Sequence, residues 1–364
     1  MGAGTGSGYE EPSQWPPGSC TTVCAMTISV GVIGGGSWGT TVAHIAAHNA
    51  PTLLWCRSTE VAASISDHNR NDQYLADYEL HPDLMASTDI EYVVSKADVV
   101  VMGVPSQGFR DVMQKVVPHL RPWVPILSLT KGLERGTKLR MSQVAEEEAP
   151  GHPVGALTGP NLAKEILAGD PALSVVAMQD TNVGERLQEI FKTQAFRVYL
   201  NHDIVGCEVG GALKNVIALA SGMADGLGTG DNTRAAIITR GLAELTRLGV
   251  AMGGEPATLA GLAGMGDLLA TCISPQSRNR YFGEQLGKGR TVDDIAAEMN
   301  QVAEGVKSAP VVLELAGEYD IEMPIAEQVA AVVAGEQNAS EGLGELIRRQ
   351  RRFESEAPFA TPQS

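Results

Sequence analysis

Lys214 stands in apolar and small-residue surroundings, where an amine is a candidate for proton transfer. It lies within a predicted helix over residues 205–224. A lysine serves as a general acid when burial or nearby positive charge lowers its pKa toward neutrality. Small neighbours leave room beside it for a ligand or for a closely packed helix, and both interpretations stay open. These neighbours are Gly210, Gly211, Ala218 and Ser221.

Asp267 and Lys131 are candidate partners for this lysine. Asp267 lies in the nearly charge-free segment 261–268, where it either orients a cation or caps a helix. Lys131 directly follows a predicted strand over 124–130. Ligands of open α/β sheets bind beyond the carboxyl ends of the strands, which favours a ligand contact for Lys131. A solvated turn lysine fits the same pattern.

A phosphate site is predicted at Ser277 and Arg278, which precede a predicted helix over 280–287. Backbone N–H groups at a helix start bind anions, and an arginine beside them adds charge-assisted hydrogen bonds. An exposed basic turn is the alternative. Asn161, two residues after Gly159, also has two interpretations: it binds a ligand, or it is the N-cap of the helix that follows.

The elements that would position these residues begin with a strand, a glycine turn, a helix and a second strand within residues 28–58. The turn reads G-G-G-S-W-G and fits G-x-G-x-x-G in the context that a dinucleotide site requires. Gly34 permits the tight turn, Gly36 lets the backbone approach a pyrophosphate, and Gly39 lets the helix pack on the strand. The pyrophosphate would lie on the N–H groups of the helix start.

The rest of the chain divides into two regions. Further strands are predicted over 97–106, 124–130, 154–157, 173–178 and 196–200, with helices over 61–69 and 108–120. Beyond about residue 203, only helices are predicted, over 205–224, 232–252, 256–272, 280–287, 305–319, 324–335 and 340–351. The predicted fold class is α/β, with an N-terminal Rossmann-type dinucleotide-binding domain (27–203) followed by an all-helical C-terminal domain (204–351). Residues 1–26 are expected to be a disordered tail, and 352–364 a C-terminal tail.

Composition narrows the function. The chain has 364 residues and a net charge of −16, which argues against nucleic acid and anionic membranes as partners. Its five cysteines lack metal-ligand or disulfide spacing, so no metal and reduced thiols are expected. No apolar run reaches the roughly 18 residues that span a bilayer, and no secretory signal is visible. A cytoplasmic location is therefore predicted.

Seven motifs occur together in the order seen in one known family. They are Gly34–Gly39, Thr130–Glu134, Gly159–Asn161, Leu213–Val216, Gly264–Leu268, Ser277–Arg280 and Val302–Gly305. Over roughly residues 28–335 the chain resembles the NAD(P)-dependent sn-glycerol-3-phosphate dehydrogenases. The resemblance implies an enzyme that transfers hydride reversibly between NAD(P)H and dihydroxyacetone phosphate, giving sn-glycerol 3-phosphate for glycerophospholipid synthesis. We also expect a homodimer.

The resemblance implies a role for individual residues. Lys214 would be the proton donor and acceptor. The implied substrate site comprises Lys131, Gly159, Asn161, Lys214, Asp267, Ser277, Arg278 and Asn279. The implied cofactor site comprises Gly34, Gly36, Ser37, Trp38, Gly39, Arg57, Lys131, Ala163, Arg278, Val302 and Glu304. Asn161 stands where many relatives have serine, and both side chains form hydrogen bonds.

The residue types fit this chemistry independently. Lys214 would protonate the developing alkoxide, Lys131 would stabilise it, and Asp267 would hold Lys214 in position. Arg278 and the helix start at Ser277 would bind the phosphate. Two alternatives are a hydroxy-acid or sugar-nucleotide dehydrogenase of the same two-domain plan, and a nonenzymatic dinucleotide sensor. The phosphate motif disfavours the first, and the second leaves Lys214 and Asp267 without a function.

The second strand predicts which dinucleotide is used. NAD-selective sites of this type carry an acid after that strand to bind the ribose 2′-hydroxyl. Here Arg57 and Ser58 follow it, and Glu60 is expected in the next helix. Arg57 can pair with a 2′-phosphate or stack on the adenine. The sequence predicts that NADPH is accepted at least as well as NADH. If Arg57 only stacks, the two cofactors would work alike.

Overall fold

The computed structural model describes residues 28–299 and 303–348. Both predicted tails, 1–26 and 352–364, and the predicted cofactor contact Val302 lie outside these ranges. Within them, the chain forms an eight-stranded sheet with flanking helices up to Asn201, and only helical elements from Ile204 onward. This order confirms the predicted fold class.

The sheet region is built from short buried strands. Val30–Ile33 and Val99–Met102 are buried at every position, as expected of central parallel strands with helices on both faces. In chain order the elements are β1 (Val30–Ile33), α1 (Ser37–Ala47), β2 (Thr52–Trp55), α2 (Thr59–His68), β3 (Met85–Ser87), α3 (Ile90–Lys96), β4 (Val99–Met102), α4 (Phe109–Val116), β5 (Ile126–Ser128), α5 (Met141–Glu148), β6 (Val154–Thr158), α6 (Ala163–Leu167), β7 (Ala172–Met178), α7 (Thr181–Phe191) and β8 (Phe196–Asn201).

The strand order is β3-β2-β1-β4-β5-β6-β7-β8. The first three strands extend from β1 toward one edge of the sheet, and β4 then starts a second series on the other side of β1. Strands β1 and β4 are parallel, with Val32 paired to Val101. Open α/β sheets bind ligands at such a switch point, beyond the carboxyl ends of the strands. The glycine turn follows β1 at this edge. One pair, β6 with β7, is antiparallel, although the other pairs are parallel.

Several sheet-region elements differ from the predictions. The sequence missed β3, α3 and α5, because a strand of three residues and short polar helices carry little hydrophobic periodicity. It also missed α7, although the spacing of Leu187, Ile190 and Phe191 along this helix of 11 residues is helical. The helix predicted over 108–120 is instead α4 between two 3₁₀ turns, Ser106–Gly108 and Val117–His119. Pro118 lacks a backbone N–H and ends the regular hydrogen bonding.

The helical region begins at Ile204. Its elements are α8 (Ile204–Gly226), α9 (Asp231–Ala251), α10 (Pro256–Leu259), a π-helical turn (Leu262–Gly266), α11 (Asp267–Ile273), α12 (Arg278–Gly287), α13 (Val292–Glu298), α14 (Glu304–Glu318), α15 (Pro324–Val333) and α16 (Ala339–Arg348). The sequence missed α13. The single helix predicted over 256–272 is wrong, because the chain breaks at Gly261. A Cβ at Gly264 would lie 2.0 Å from the carbonyl oxygen of Leu259, so the close turn requires glycine there.

Helix α8 is the centre of the helical region and is buried on nearly all sides. The sequence predicted one apolar face on this helix, with Lys214 outside it. The buried surface is wider than that face, because Lys214 is also only 6% exposed. Helix α12 crosses α8 at very short range: a Cβ at Gly222 would lie 2.0 Å from the Arg280 carbonyl oxygen. Two stretches, α8 and Pro256–Ile273, match a membrane span in length and apolarity. The apolar window of α8 is 94% buried within the fold, as expected of a core helix.

The loop over residues 131–140, which connects β5 to α5, packs against the helical region. Leu133 packs in the same hydrophobic cluster as the core of the helical region, and it pairs with Arg140 across an isolated β-bridge. The Arg140 guanidinium is 2.6 Å from the buried carboxylate of Glu208, which also accepts from the Ser142 backbone N–H at 2.8 Å. This loop carries Lys131 at its start, so both of its ends are tied to the helical region.

Candidate active site

Lys131 and Lys214 meet on one carboxylate, that of Asp267. The Nζ of Lys131 donates to Asp267 Oδ2 at 2.6 Å and to the Gly159 carbonyl oxygen at 3.0 Å. The Nζ of Lys214 donates to Asp267 Oδ1 and to Thr271 Oγ1, the latter at 2.6 Å. Asp267 is 2% exposed, so the ion pairs form in a largely water-free setting. The structure thus brings together three residues that the sequence placed in separate motifs.

The protonation of Lys214 is set by competing effects. Burial lowers its pKa to about 8, with the charge of Lys131 acting in the same direction and the carboxylate of Asp267 opposing it. An amine with a pKa near neutrality exchanges a proton readily at physiological pH. Thr271 orients the Nζ of Lys214 from one turn further along α11: its hydroxyl accepts from that Nζ at 2.6 Å and donates to the Asp267 backbone carbonyl oxygen at 2.7 Å. Thr271 was not among the predicted site residues, although its spacing of four residues from Asp267 places both on one helix face.

Gly159 and Asn161 lie at the carboxyl end of β6, beside Lys131. Gly159 has a φ of +137°, a conformation that favours glycine, and its carbonyl accepts from Lys131. Asn161 is not the N-cap of α6, because Leu162 occupies that position. Instead its Nδ2 donates to Ser174 Oγ at 3.0 Å. Within the described residues its buried Oδ1 has no hydrogen-bond partner, so it is oriented to accept from a ligand.

Ser277, Arg278 and Asn279 open α12, as the motif predicted. Ser277 is the N-cap, and its hydroxyl accepts from the Arg280 backbone N–H at 3.2 Å. Arg278 is exposed at the first helical position. Asn279 is buried, and both ends of its amide bind protein: Nδ2 donates to Asn215 at 2.9 Å, and Oδ1 accepts from Gly305 N–H at 2.8 Å. These bonds give Asn279 a structural position between α8, α12 and α14.

Glu304 brings a carboxyl group toward these cations. It is the first residue of α14, and burial raises its pKa against the opposing charges of Arg278, Lys214 and Lys131. The interactions place Glu304 on the same side of the helical region as the lysine pair.

The glycine turn lies between β1 and α1. Gly34 has a φ of +127°, and a Cβ there would lie 2.4 Å from the Gly103 carbonyl oxygen. A Cβ at Gly39 would lie 2.0 Å from the Gly34 oxygen, so the helix start packs directly on the turn. Gly36 is the N-cap of α1, and a Cβ at this position would meet no atom within 4 Å. Open space therefore faces the helix start.

This turn fits a dinucleotide. The N-cap glycine supplies no side-chain acceptor, so the first N–H groups of α1, from Ser37 onward, suit a pyrophosphate. The indole N–H of Trp38 is buried and without a hydrogen-bond partner among the described residues, as a ligand contact would require. Ala163 begins α6, which packs beside α1.

The end of β2 carries the residues that were predicted to select the cofactor. Arg57 is exposed, and Ser58 is the N-cap of α2. Glu60 lies in the first turn of α2, as expected, and its carboxylate accepts from the Ser58 hydroxyl at 2.5 Å. That hydrogen bond turns Glu60 toward its own helix start. Across residues 28–299 and 303–348, no three His, Cys, Asp or Glu side chains are grouped to bind a metal ion.

A mostly parallel sheet with a glycine turn at its switch point, joined to helices that carry a buried lysine, is the architecture of two-domain nicotinamide-dependent dehydrogenases. A sequence profile described as NAD-dependent glycerol-3-phosphate dehydrogenase N-terminus matches residues 29–184. The corresponding C-terminus profile matches residues 203–343. The chain belongs to the NAD-dependent glycerol-3-phosphate dehydrogenase family, which confirms the resemblance seen in its motifs.

Individual relatives agree with this assignment. The chain is 56% identical over 323 residues to glycerol-3-phosphate dehydrogenase [NAD(P)+] 2 of Sphingopyxis alaskensis, covering 89% of this chain and 97% of the relative. It is 56% identical over 303 residues to glycerol-3-phosphate dehydrogenase [NAD(P)+] 1 of Mycobacterium tuberculosis, covering 83% and 89%. The crystal structure of glycerol-3-phosphate dehydrogenase from Coxiella burnetii superposes with a TM-score of 0.85 at 34% identity, covering 89% of this chain and 99% of that chain.

Proposed function

We propose that this enzyme catalyses reversible hydride transfer between NAD(P)H and dihydroxyacetone phosphate, giving sn-glycerol 3-phosphate for glycerophospholipid synthesis. The observation that carries the proposal is the convergence of Lys131 and Lys214 on Asp267. It puts an amine with a lowered pKa beside a second cation, at the junction of the two regions. Carbonyl reduction requires a proton donor and stabilisation of negative oxygen at one point.

The bound nicotinamide supplies or accepts the hydride. During reduction, negative charge develops on the former ketone oxygen, and Lys214 donates a proton to that oxygen from its Nζ. Lys131 stabilises the same charge through its ammonium group, which its bonds to Asp267 and Gly159 hold in place. In the reverse direction, neutral Lys214 accepts the hydroxyl proton. Asp267 holds both amines in position, one on each oxygen of its carboxylate.

The phosphate would bind at the start of α12. Ser277 and Arg278 occupy this helix start, and the helix dipole and N–H groups there favour an anion. Asn161 would accept from a substrate hydroxyl through its unpartnered Oδ1.

A spectrophotometric assay tests the proposal against its alternatives. NADH or NADPH oxidation should depend on dihydroxyacetone phosphate and be absent with the non-phosphorylated ketone. Oxidation supported instead by 2-oxo acids or by sugar nucleotides would favour another dehydrogenase of the same plan. Dinucleotide binding without turnover on any of these substrates would favour a sensor.

We also propose that NADPH is accepted at least as well as NADH. The exposed Arg57 follows β2 where NAD-selective sites carry an acid, and Glu60 is engaged by Ser58. Arg57→Asp should weaken NADPH binding much more than NADH binding, because the new carboxylate repels a 2′-phosphate. Arg70→Asp, at an exposed position beyond α2, is the matched charge control. If the wild-type enzyme does not use NADPH as a cofactor, this proposal is wrong.

Assembly and location belong to the same proposal. A homodimer would have twice the chain mass of 38.3 kDa, which light scattering measures directly. The three cysteines in the described residues, Cys56, Cys207 and Cys272, are unpaired and buried, which supports a reducing cytoplasmic setting. Labelling the protein in intact cells and fractionating them tests that location.

A further inference from the structure

Asn71 is a fully buried amide that contacts the glycine turn from the loop after α2. It is 0% exposed, and its Nδ2 donates to the Gly35 carbonyl oxygen at 3.0 Å and to Thr40 Oγ1 at 2.8 Å. Its Oδ1 accepts from the Tyr74 backbone N–H at 3.3 Å, and the Asn71 backbone oxygen shares that N–H at 3.2 Å. A buried amide with all of these bonds is costly to disturb, because each lost bond leaves a polar atom unsatisfied.

The chemistry of the partners defines the orientation of this amide. A backbone carbonyl only accepts hydrogen bonds, so the group that faces Gly35 must be the NH₂ of Asn71. A backbone N–H only donates, so the group that faces Tyr74 must be the oxygen. The two bonds therefore agree on one orientation of the side chain. An aspartate in this place would set a carboxylate oxygen against the Gly35 carbonyl oxygen.

The Gly35 carbonyl belongs to the same peptide group as the N–H of Gly36. In a planar trans peptide the C=O and the N–H point in opposite directions. Because Asn71 holds the carbonyl on its own side, the Gly36 N–H points away from Asn71. Among the described residues, this N–H has no backbone hydrogen-bond acceptor. It lies next to the uncapped start of α1, where the pyrophosphate is proposed to bind.

Three successive glycines need such a restraint. Glycine populates φ above and below zero almost equally, so the peptide between Gly35 and Gly36 has little intrinsic preference for one orientation. On the other side, Gly35 is packed against Cys56, since a Cβ on Gly35 would lie 2.5 Å from the Cys56 sulfur. Gly35 is thus held between Cys56 and Asn71.

Asn71 is itself well anchored. Helix α2 ends at a left-handed C-cap, Asn69, two residues before it. The backbone carbonyl of Asn71 accepts from the Leu75 N–H at 2.8 Å, and Leu75 is only 1% exposed. The following residue, Asp72, accepts from the Ser64 hydroxyl at 2.8 Å. The amide is therefore presented to the glycine turn by a folded segment, not by a free loop.

We propose that Asn71 is a positioning residue for the dinucleotide: it locks the Gly35–Gly36 peptide so that the Gly36 N–H faces the pyrophosphate. This inference rests on the proposed cofactor site at the glycine turn. Asn71 does not contact the dinucleotide itself, and its effect passes through one peptide orientation. It should therefore influence NADH and NADPH equally, because both carry the same pyrophosphate.

The test measures binding of NADH and NADPH to the full chain by fluorescence titration, without substrate. Asn71→Asp should weaken both dinucleotides by at least about tenfold, with the NADPH-to-NADH ratio unchanged. Thr40→Val is the matched control, because it removes the other acceptor of the same NH₂ and leaves the Gly35 contact intact. Its dinucleotide affinities should stay within about threefold of wild type. With saturating dinucleotide, the KM of Asn71→Asp for dihydroxyacetone phosphate should also stay within about threefold.

Three results would overturn the inference. They are undiminished binding by Asn71→Asp, equal losses in Asn71→Asp and Thr40→Val, and a changed preference between NADH and NADPH. If circular dichroism shows that Asn71→Asp does not fold, Asn71→Ala replaces it with the same expected order. Failure of both variants to fold would assign Asn71 to the fold instead. A wild-type chain that binds neither dinucleotide would count against the proposed function, which is a separate outcome.

Discussion

Lys131, at the end of β5, donates a hydrogen bond of 2.6 Å to Asp267, at the start of α11. These residues are 136 positions apart and belong to the sheet and helical regions respectively. The other oxygen of the same carboxylate binds Lys214. One buried carboxylate therefore couples the position of the proposed catalytic amine to the contact between the two regions.

Lys214→Ala should reduce turnover by roughly a hundredfold to ten-thousandfold, as expected for the loss of a general acid. Lys214→Arg is the matched variant, because it keeps the positive charge but does not release a proton near neutral pH. Both variants should bind NADPH as the wild type does, because the glycine turn lies in the other region. Turnover of Lys214→Ala within a few-fold of wild type would remove Lys214 from the mechanism.

The pH dependence should follow the protonation of Lys214. Ketone reduction needs the protonated amine, so kcat/KM for dihydroxyacetone phosphate should fall as pH rises through about 8. Oxidation of glycerol 3-phosphate needs the neutral amine and should rise over the same range. Asp267→Asn removes the charge that opposes the lowering of this pKa. In Asp267→Asn, kcat/KM for dihydroxyacetone phosphate should therefore fall at a lower pH than in wild type. An unshifted pH profile would contradict the role of Lys214 as the titrating group.

Arg278→Ala should raise KM for dihydroxyacetone phosphate far more than KM for the dinucleotide. Loss of a hydrogen bond to a charged group costs about 1.5–3 kcal/mol, which corresponds to roughly ten- to 150-fold in affinity. Lys288→Ala removes a cation from the opposite end of α12 and serves as the control. If Arg278→Ala raises both KM values equally, or raises neither, the phosphate must bind elsewhere.

Glu244 should make stability depend on pH. Its carboxyl group accepts from the Ile325 N–H at 2.8 Å and the Ala326 N–H at 3.3 Å, and burial raises its pKa to about 7. Between about pH 4.5 and 7 the native state keeps a proton that the unfolded chain has released. The contribution of Glu244 to the free energy of unfolding should therefore fall by about 3 kcal/mol as pH rises across this window, and should change no further above it.

Comparison with Glu244→Gln isolates that contribution. An amide oxygen still accepts from the start of α15 but does not titrate, so the difference in unfolding free energy between wild type and variant should narrow toward low pH. Glu91→Gln, at an exposed position in α3, is the control and should keep the wild-type slope. Chemical denaturation at a series of pH values measures both. Identical slopes in wild type and Glu244→Gln would refute the role of Glu244.

Local sequence determined the elements that are recognisable within one stretch of chain. The apolar run before Gly34, the glycine spacing that follows it and the N-cap Ser277 were each predictable, because period, turn chemistry and capping act between near neighbours. The change from strands to helices near residue 203 was predictable for the same reason. The family motifs then connected Lys131, Lys214 and Asp267 with one reaction.

Tertiary structure decided the features that depend on distant residues. The burial of α8 on nearly all sides follows from the helices that surround it. The hydrogen bonds from Asn71 to Gly35 and from Lys214 to Thr271 could not be predicted from the sequence, because they join residues that only folding brings together. The pKa of Lys214 belongs to this group as well, because desolvation and neighbouring charge exist only once the chain has folded.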